Sequence, residues 1–160
     1  MPSLRDATTN DIGSILDMLK ASAADQGFAD EVAVSEQDLL EDGFGASPRF
    51  HVLLAEVDGF AAGMALYFFN YSTWGSRNGI YLEDLYVKSE YRGQRIGRKL
   101  LVRLAQIAEA AGCRRFQWVV HNANTSAVRL YESVGANTLR EWSLMSIKGD
   151  AISRLATSES

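Results

Sequence analysis

Apolar residues in the first part of the chain recur at the three- and four-residue spacing of helices. Residues 3–7 predict a short first strand, and an apolar helical stripe follows it. This stripe consists of Ile12, Ile15, Leu16 and Leu19. A second helix is predicted over SEQDLLEDGFG, where Ser35 and Asp38 have the spacing of a capping box and Gly43 ends the element.

The middle of the chain changes to the pattern of strands. The apolar stretches FHVLLAEV and FAAGMALYFFNY are separated by Asp58-Gly59, a two-residue turn typical of a β-hairpin. A third strand, GIYLEDLYVK, leads into a helix over residues 96–111, because apolar residues there again fall on one helical face.

The last third of the chain predicts RFQWVV as a strand, NTSAVRLYES as a short helix and residues 136–148 as two final strands. The order is then β-αα-βββ-α-β-α-ββ. This order indicates an α+β fold, a three-layer sandwich in which a mixed, mostly antiparallel sheet has helices on both faces. Residues 1–150 are expected to form one domain, and residues 151–160 a polar tail.

Composition narrows the classes of function. The 160 residues carry a net charge of −4, which opposes nucleic-acid binding through a basic surface. The single cysteine, Cys113, cannot form an internal disulfide, and with two histidines it makes a poor metal site. We therefore expect a cytoplasmic protein with no secretory signal, no metal, and no nucleic-acid or membrane partner.

Positive charge is concentrated in one segment of this acidic chain. Six of the sixteen Lys and Arg residues lie between Lys88 and Arg103, where Glu90 is the only acid. Cations oppose the dipole at a helix N-terminus, and like charges four residues apart repel. A glycine-bearing turn between a strand and a helix is also a site where anions bind. The segment predicts a phosphate site, with a plain solvated helix face as the alternative.

Three side chains are candidates for acid–base chemistry. Glu83 and Asp84 lie within a predicted strand, where carboxylates are uncommon, so at least one should be half-buried with a raised pKa. An edge position or a structural ion pair is the alternative. Tyr131, on the short helix, could donate a proton if it faces the same cleft; otherwise it is a core aromatic.

These stretches together resemble the GNAT family of N-acetyltransferases. The pyrophosphate loop of that family, R/Q-x-x-G-x-G/A, matches residues 92–97, with Arg95 in place of the middle glycine. A side chain there is expected to resist positive φ. The second signature, N-x-x-A-x-x-L-Y-x-x-x-G-A, matches residues 124–136. DLLEDGFG, YLEDLYVKSEYRG and LYESVGA are most similar to the spermidine/spermine and thialysine acetyltransferase branch.

The resemblance implies acetyl-CoA as cosubstrate, bound across a splayed strand and the pyrophosphate loop. The implied coenzyme-binding residues are Leu85, Tyr86, Val87, Arg92, Gly93, Gln94, Arg95, Ile96, Gly97, Arg98 and Asn124. It also implies Glu83 as the general base, acting directly or through water, and Tyr131 as the acid toward the leaving thiolate. Relatives in this branch are dimers, so a homodimer is expected.

Acidic residues between the first two predicted helices favour a cationic acceptor. We assign Asp30, Glu31 and Asp84 to substrate binding, with a solvated acidic face as the alternative. The expected reaction is acetyl transfer to a primary amine of a small polyamine-like substrate by direct attack in a ternary complex. A lysine analogue or a protein amine is an alternative acceptor. A non-catalytic acyl-CoA-binding regulator is an alternative from another class.

Overall fold

The computed structural model describes residues 1–74 and 77–158. The strands are β1 (Ser3–Asp6), β2 (His51–Val57), β3 (Phe60–Ser72), β4 (Arg77–Val87) and β5 (Arg115–Gln117). The helices are α1 (Ile12–Asp25), α2 (Glu36–Phe44), α3 (Ile96–Ala110), α4 (Thr125–Ser133) and α5 (Asp150–Thr157). Over the described ranges, no helix combines the length and the apolar character that crossing a bilayer requires.

The strands form one sheet in the order β1-β2-β3-β4-β5, antiparallel throughout except for the parallel pair β4 and β5. This confirms the predicted mixed, mostly antiparallel sheet. Asp58 and Gly59 join β2 to β3 with φ values of 51° and 82°. Positive φ at both positions is what a tight hairpin turn requires, so the Asp-Gly signal was sufficient to predict it.

Buried apolar side chains form a core on each face of the sheet. On one face α3 packs through Ile96 and Leu100. On the other face α1 and α2 pack through Ile15, Met18 and Leu39. Each of these five side chains is at most 2% exposed, so the helices cover both faces and complete the three predicted layers.

Two irregularities of β4 shape the region where the site lies. The pairing of β3 with β4 shifts register between Leu66 and Tyr67, which leaves Glu83 as the extra residue of a β-bulge. In addition, β4 pairs with β5 only from Gly79 to Tyr81. Toward its end, β4 therefore runs on beyond its pairing with β5, and the backbone N–H and C=O groups on that side are available for a ligand.

The C-terminal part of the chain differs from the sequence prediction. The two strands expected over residues 136–148 are absent from the described structure, β5 has only three of its six predicted residues, and α5 forms within the predicted polar tail. Strands need a neighbour to satisfy their backbone groups, and residues 137–148 pair with no described strand. The prediction of two strands over residues 136–148 is therefore wrong, because the alternation of apolar residues could not supply a partner strand.

Candidate active site

A cleft of about 860 Å³ opens between the end of β4, the start of α3 and α4. Most of the site residues predicted from the sequence line this one cleft. They are Leu85, Tyr86, Val87, Arg92, Gly93, Arg95, Ile96, Gly97, Arg98, Asn124 and Tyr131. A cleft of this size falls within the roughly 300–1,000 Å³ typical of small-molecule sites.

The turn before α3 has the geometry of an anion site. Gly93 and Arg95 both have positive φ, 79° and 60°, and the Arg95 carbonyl accepts a hydrogen bond from Lys99 N–H (3.0 Å) as the helix begins. The first N–H groups of a helix have no partner within it and, with the helix dipole, attract anions. The side chain at position 95 does not prevent positive φ, so the turn closes although glycine is absent there. Arg95 adopts the left-handed conformation, at a cost of about 1 kcal/mol.

The cleft residues fit a diphosphate group. Arg92, Arg95 and Arg98 supply three guanidinium groups beside the helix start. Gly97 supplies close packing instead, because a Cβ at that position would lie 3.0 Å from Leu130 Cδ2. Glycine therefore lets α4 approach the turn and close one side of the cleft.

Arg92 joins the cleft to α1. Its Nε donates a hydrogen bond to the Val87 carbonyl (2.9 Å), its Nη2 pairs with the Asp25 carboxylate, and its guanidinium lies 5.6 Å from the centre of the Tyr86 ring. The hydrogen bond that Arg92 donates to Asp25 is the main reason that the pKa of Arg92 is raised. Asp25 also lines the cleft, although the sequence had placed it only within a general acidic group.

The two adjacent carboxylates of β4 lie in different environments. Glu83, the bulge residue, is exposed, whereas Asp84 is half-buried. Asp84 stands opposite Leu66, a residue of the core beneath α1 and α2, so the Asp84 side chain lies on that face of the sheet. Burial, followed by the negative charge of Glu83, raises the pKa of Asp84 to about 6. This confirms the expectation that one carboxylate is half-buried with a raised pKa.

Tyr131 lies on α4, where it both lines the cleft and packs against Trp118 with a ring-centre distance of 4.9 Å. Burial raises its pKa to about 12, so its hydroxyl stays protonated near neutral pH and can donate a proton. Asn124 caps the same helix. Its Oδ1 accepts hydrogen bonds from Ala127 N–H (3.2 Å) and Ser126 Oγ (3.1 Å), so a ligand would meet its amide nitrogen.

Some predicted residues lie outside the cleft lining. Gln94 is exposed beside the turn, and Asp30 and Glu31 are exposed in a short 3₁₀ turn, so the structure does not bring that acidic pair into the cleft. Glu83 and Asp84 also lie outside the lining, on β4 just before Leu85, the first residue of that strand to line the cleft. Sequence reasoning missed other lining residues, among them Ser22 of α1 and Gln26, which directly follows that helix. Their types carry no chemical signal, and only the packing of α1 beside β4 brings them there.

The chain belongs to the acetyltransferase (GNAT) family, whose sequence profile matches residues 15–136. It is an N-acetyltransferase, and acetyl-CoA is the cosubstrate of this family. It is 42% identical to a thialysine N-epsilon-acetyltransferase of Sus scrofa, over 96% of each chain. It is 36% identical to a spermidine/spermine N(1)-acetyltransferase-like protein 1 of Homo sapiens, over 83% of this chain and 20% of that protein. An integron cassette protein of V. cholerae has the same fold, with a TM-score of 0.81, 27% identity and 98% of each chain covered.

Proposed function

We propose that this chain transfers the acetyl group of acetyl-CoA to a primary amine of a small polyamine-like substrate, by direct attack in a ternary complex. One cleft contains both a basic site suited to a diphosphate and a protonated tyrosine, and the strand that carries the two carboxylates borders this cleft. This arrangement is the observation that carries the proposal. A lysine-like amine is the second candidate acceptor, favoured by the 42% identity to a thialysine acetyltransferase along nearly the whole chain.

In this proposal the diphosphate lies at the start of α3, and β4 holds the rest of the coenzyme. Acetyl-CoA supplies an activated acetyl group as a thioester. The backbone of Leu85 and Val87 would bind the pantetheine arm, and an N–H near Tyr86 would stabilise the oxyanion that develops on the acetyl carbonyl. Support comes from the end of β4, which β5 leaves unpaired beyond Tyr81.

Two proton transfers complete the proposed reaction. An alkyl amine has a pKa near 10.4 and is almost entirely protonated at neutral pH, so it must lose a proton before it can attack. Glu83 is the proposed base, directly or through water, while Asp84 attracts the cationic amine. Tyr131 would then protonate the departing thiolate, a role supported by its raised pKa and its place in the cleft.

We expect CoA-thiol release from acetyl-CoA to accelerate when an amine from the panel putrescine, spermidine, spermine, lysine and thialysine is added. The reaction without amine measures thioester hydrolysis and serves as the control. CoA should also raise the Tm, because a ligand at about 100 times its Kd adds about 2.7 kcal/mol of stability. A raised Tm with no acceleration by any amine would instead favour a non-catalytic acyl-CoA regulator.

We also propose that the C-terminal segment forms a homodimer interface. Large apolar side chains are 52–86% exposed along residues 139–155, and exposed apolar residues in such number usually meet a partner. They are Leu139, Trp142, Leu144, Met145, Ile147, Ile152 and Leu155. A second copy could supply the strand neighbour that residues 137–148 lack.

Light scattering should therefore give about twice the chain mass of 17.6 kDa. The double variant Leu144→Asp/Met145→Asp should shift the mass to that of a monomer, because two buried charges at an interface oppose association. Phe60→Asp, at an exposed position of the β2–β3 hairpin, is the matched control and should leave the mass unchanged. A wild-type protein with the mass of a monomer would contradict the proposal.

A further inference from the structure

Asp25, the last residue of α1, is an acid in a cleft that is otherwise suited to anions. Within residues 1–74 and 77–158, it is the only residue with a carboxylate side chain that lines the cleft. It also lies at the C-terminal end of its helix, where the dipole disfavours negative charge. Asp25 therefore opposes both the helix dipole and the proposed diphosphate site. Positions that break local preferences in this way are often functional.

Asp25 is connected to the end of β4 through Arg92. Its carboxylate pairs with Nη2 of Arg92, which lies 67 residues further along the chain. The Nε of Arg92 donates a hydrogen bond to the carbonyl of Val87 (2.9 Å), the last residue of β4. One guanidinium group is therefore held at two of its nitrogen atoms, and it joins the end of α1 to the end of β4.

The face of the same guanidinium group also has a partner. It lies 5.6 Å from the centre of the Tyr86 ring, and Tyr86 is only 9% exposed, so this ring is a fixed surface. A planar guanidinium group with partners at Nε, at Nη2 and on its face is restricted to one orientation. Asp25 is the one of these three partners that does not belong to β4. Without it, the long Arg92 side chain regains other rotamers.

Stability alone does not explain the pair of Asp25 and Arg92. Their side chains are 49% and 51% exposed. Ion pairs at such exposure contribute little to folding, because water screens them and ordering the side chains costs entropy. What the pair does is hold Arg92 and Val87 in place. These residues lie next to the backbone to which the proposed function assigns the pantetheine arm and the oxyanion.

We propose that Asp25 is a positioning residue for acetyl transfer: through Arg92 it fixes the end of β4, and with it the backbone that orients the thioester. This inference rests on the proposed function. It assigns to Asp25 neither a proton transfer nor direct contact with the amine. Orientation of this kind acts on kcat, since a misplacement of about 1 Å at the reacting atoms can cost about 10²-fold in rate.

Steady-state CoA-thiol release with the best amine, together with calorimetric titration of CoA, tests the proposal on the full chain. Asp25→Ala should lower kcat about tenfold, because the thioester is held less well. The Kd for CoA should change less than about threefold, because the lost orientation of Arg92 and the removal of a negative charge from the cleft act in opposite directions. The KM for the amine should also stay within about threefold.

A double-mutant cycle shows whether Asp25 acts through Arg92. Arg92→Gln should lower kcat at least as much as Asp25→Ala does. Adding Asp25→Ala to Arg92→Gln should change kcat by less than about twofold, because the residue that Asp25 positions is already absent. Asp25→Asn should retain about half or more of the wild-type kcat, because its amide oxygen still accepts a hydrogen bond from Arg92.

Asp17→Ala is the matched control. It removes an exposed carboxylate from the same helix, about 12 Å from Asp25 at 1.5 Å per residue and outside the cleft lining. Its kcat should stay within about twofold of wild type. The Tm of Asp25→Ala should lie within about 4 °C of the wild-type Tm, since an exposed ion pair contributes little stability. A Tm lowered by about 10 °C or more would show a structural role and overturn the inference.

Equal effects of Asp25→Ala on kcat in the wild-type and Arg92→Gln backgrounds would also overturn the inference, because Asp25 would then act independently of Arg92. So would a raised KM for the amine at the wild-type kcat in both Asp25→Ala and Asp25→Asn, because Asp25 would then bind the amine. CoA binding that is about tenfold tighter in Asp25→Ala, at the wild-type kcat, would overturn it as well, because Asp25 would only compete with the diphosphate for Arg92.

The outcomes just described leave the proposed function standing, since the wild type would still acetylate an amine. A wild-type protein that acetylates no amine would overturn the proposed function and this inference together.

Discussion

Replacing Tyr131 with phenylalanine is expected to lower kcat for acetyl transfer by about 10²-fold or more, because general-acid catalysis typically contributes 10²–10⁴-fold. The Kd for CoA should change little, since the phenyl ring keeps the packing against Trp118. The pKa of Tyr131, raised to about 12 by burial, keeps the hydroxyl protonated across the neutral range. Steady-state rates with the best amine, together with calorimetric titration of CoA, check this expectation.

Tyr91→Phe is the matched control, because it removes a hydroxyl group from another residue that lines the same cleft. Its kcat should stay within about twofold of wild type if the proton comes from Tyr131 alone. If the Tyr131→Phe enzyme kept the wild-type kcat between pH 6 and pH 9, Tyr131 would not be the general acid and would be only a core aromatic residue.

Asp84→Asn is expected to stabilise the protein at pH 7 and to weaken amine binding. The folded-state pKa of Asp84, about 6, lies above the ordinary value of 3.8, so the folded state binds more protons than the unfolded state between these values. The free energy of unfolding therefore falls as the pH rises from 3.8 to about 6. Above about pH 6 the folded state is destabilised by the full cost of holding the ionised carboxylate in a half-buried position. At 1.36 kcal/mol per pKa unit this is on the order of 3 kcal/mol. Asparagine stays neutral and removes the penalty.

Urea unfolding near pH 4 and pH 7 tests this directly. The stability difference between Asp84→Asn and the wild type should appear at pH 7 and vanish near pH 4. The KM for the amine should rise in the same variant, because a carboxylate that attracts the cation is lost. An equal stability difference at both pH values would show that Asp84 titrates normally.

Glu83→Gln separates the two carboxylates. It should lower kcat mainly on the low-pH side, as expected for the loss of a base. It should also lower the pKa of Asp84, because the charge of Glu83 is its second cause of elevation. A Glu83→Gln enzyme with the wild-type pH–rate profile would move the base role away from Glu83.

Short sequence patterns correctly predicted those elements whose formation depends on residues close together in the sequence. The Asp58-Gly59 turn defined the β2–β3 hairpin, and the apolar stripe predicted as residues 96–111 matches α3 at Ile96–Ala110. The residues of the α3 turn were predicted to lie together for the same reason, since they are consecutive in the sequence.

Features that depend on distant parts of the chain could not be predicted in the same way. Which of Glu83 and Asp84 is buried depends on a register shift against β3, and sequence alternation alone does not reveal a bulge. Asp30 and Glu31 are acidic residues like Asp25, yet of these three only Asp25 lines the cleft. The reason is that Asp25 is the last residue of α1 and pairs there with Arg92. The strands expected over residues 136–148 needed a partner strand that the described chain does not supply.

The contact between Gly97 and Leu130 has a consequence for how this protein can evolve. The family pattern admits alanine at position 97, but here a methyl group would lie 3.0 Å from the Leu130 side chain. Alanine at position 97 would require the end of the Leu130 side chain to move by a few tenths of an ångström, and Tyr131 is the next residue on that helix. A smaller side chain at position 130 would make room for alanine at position 97, so substitutions at these two positions should be correlated.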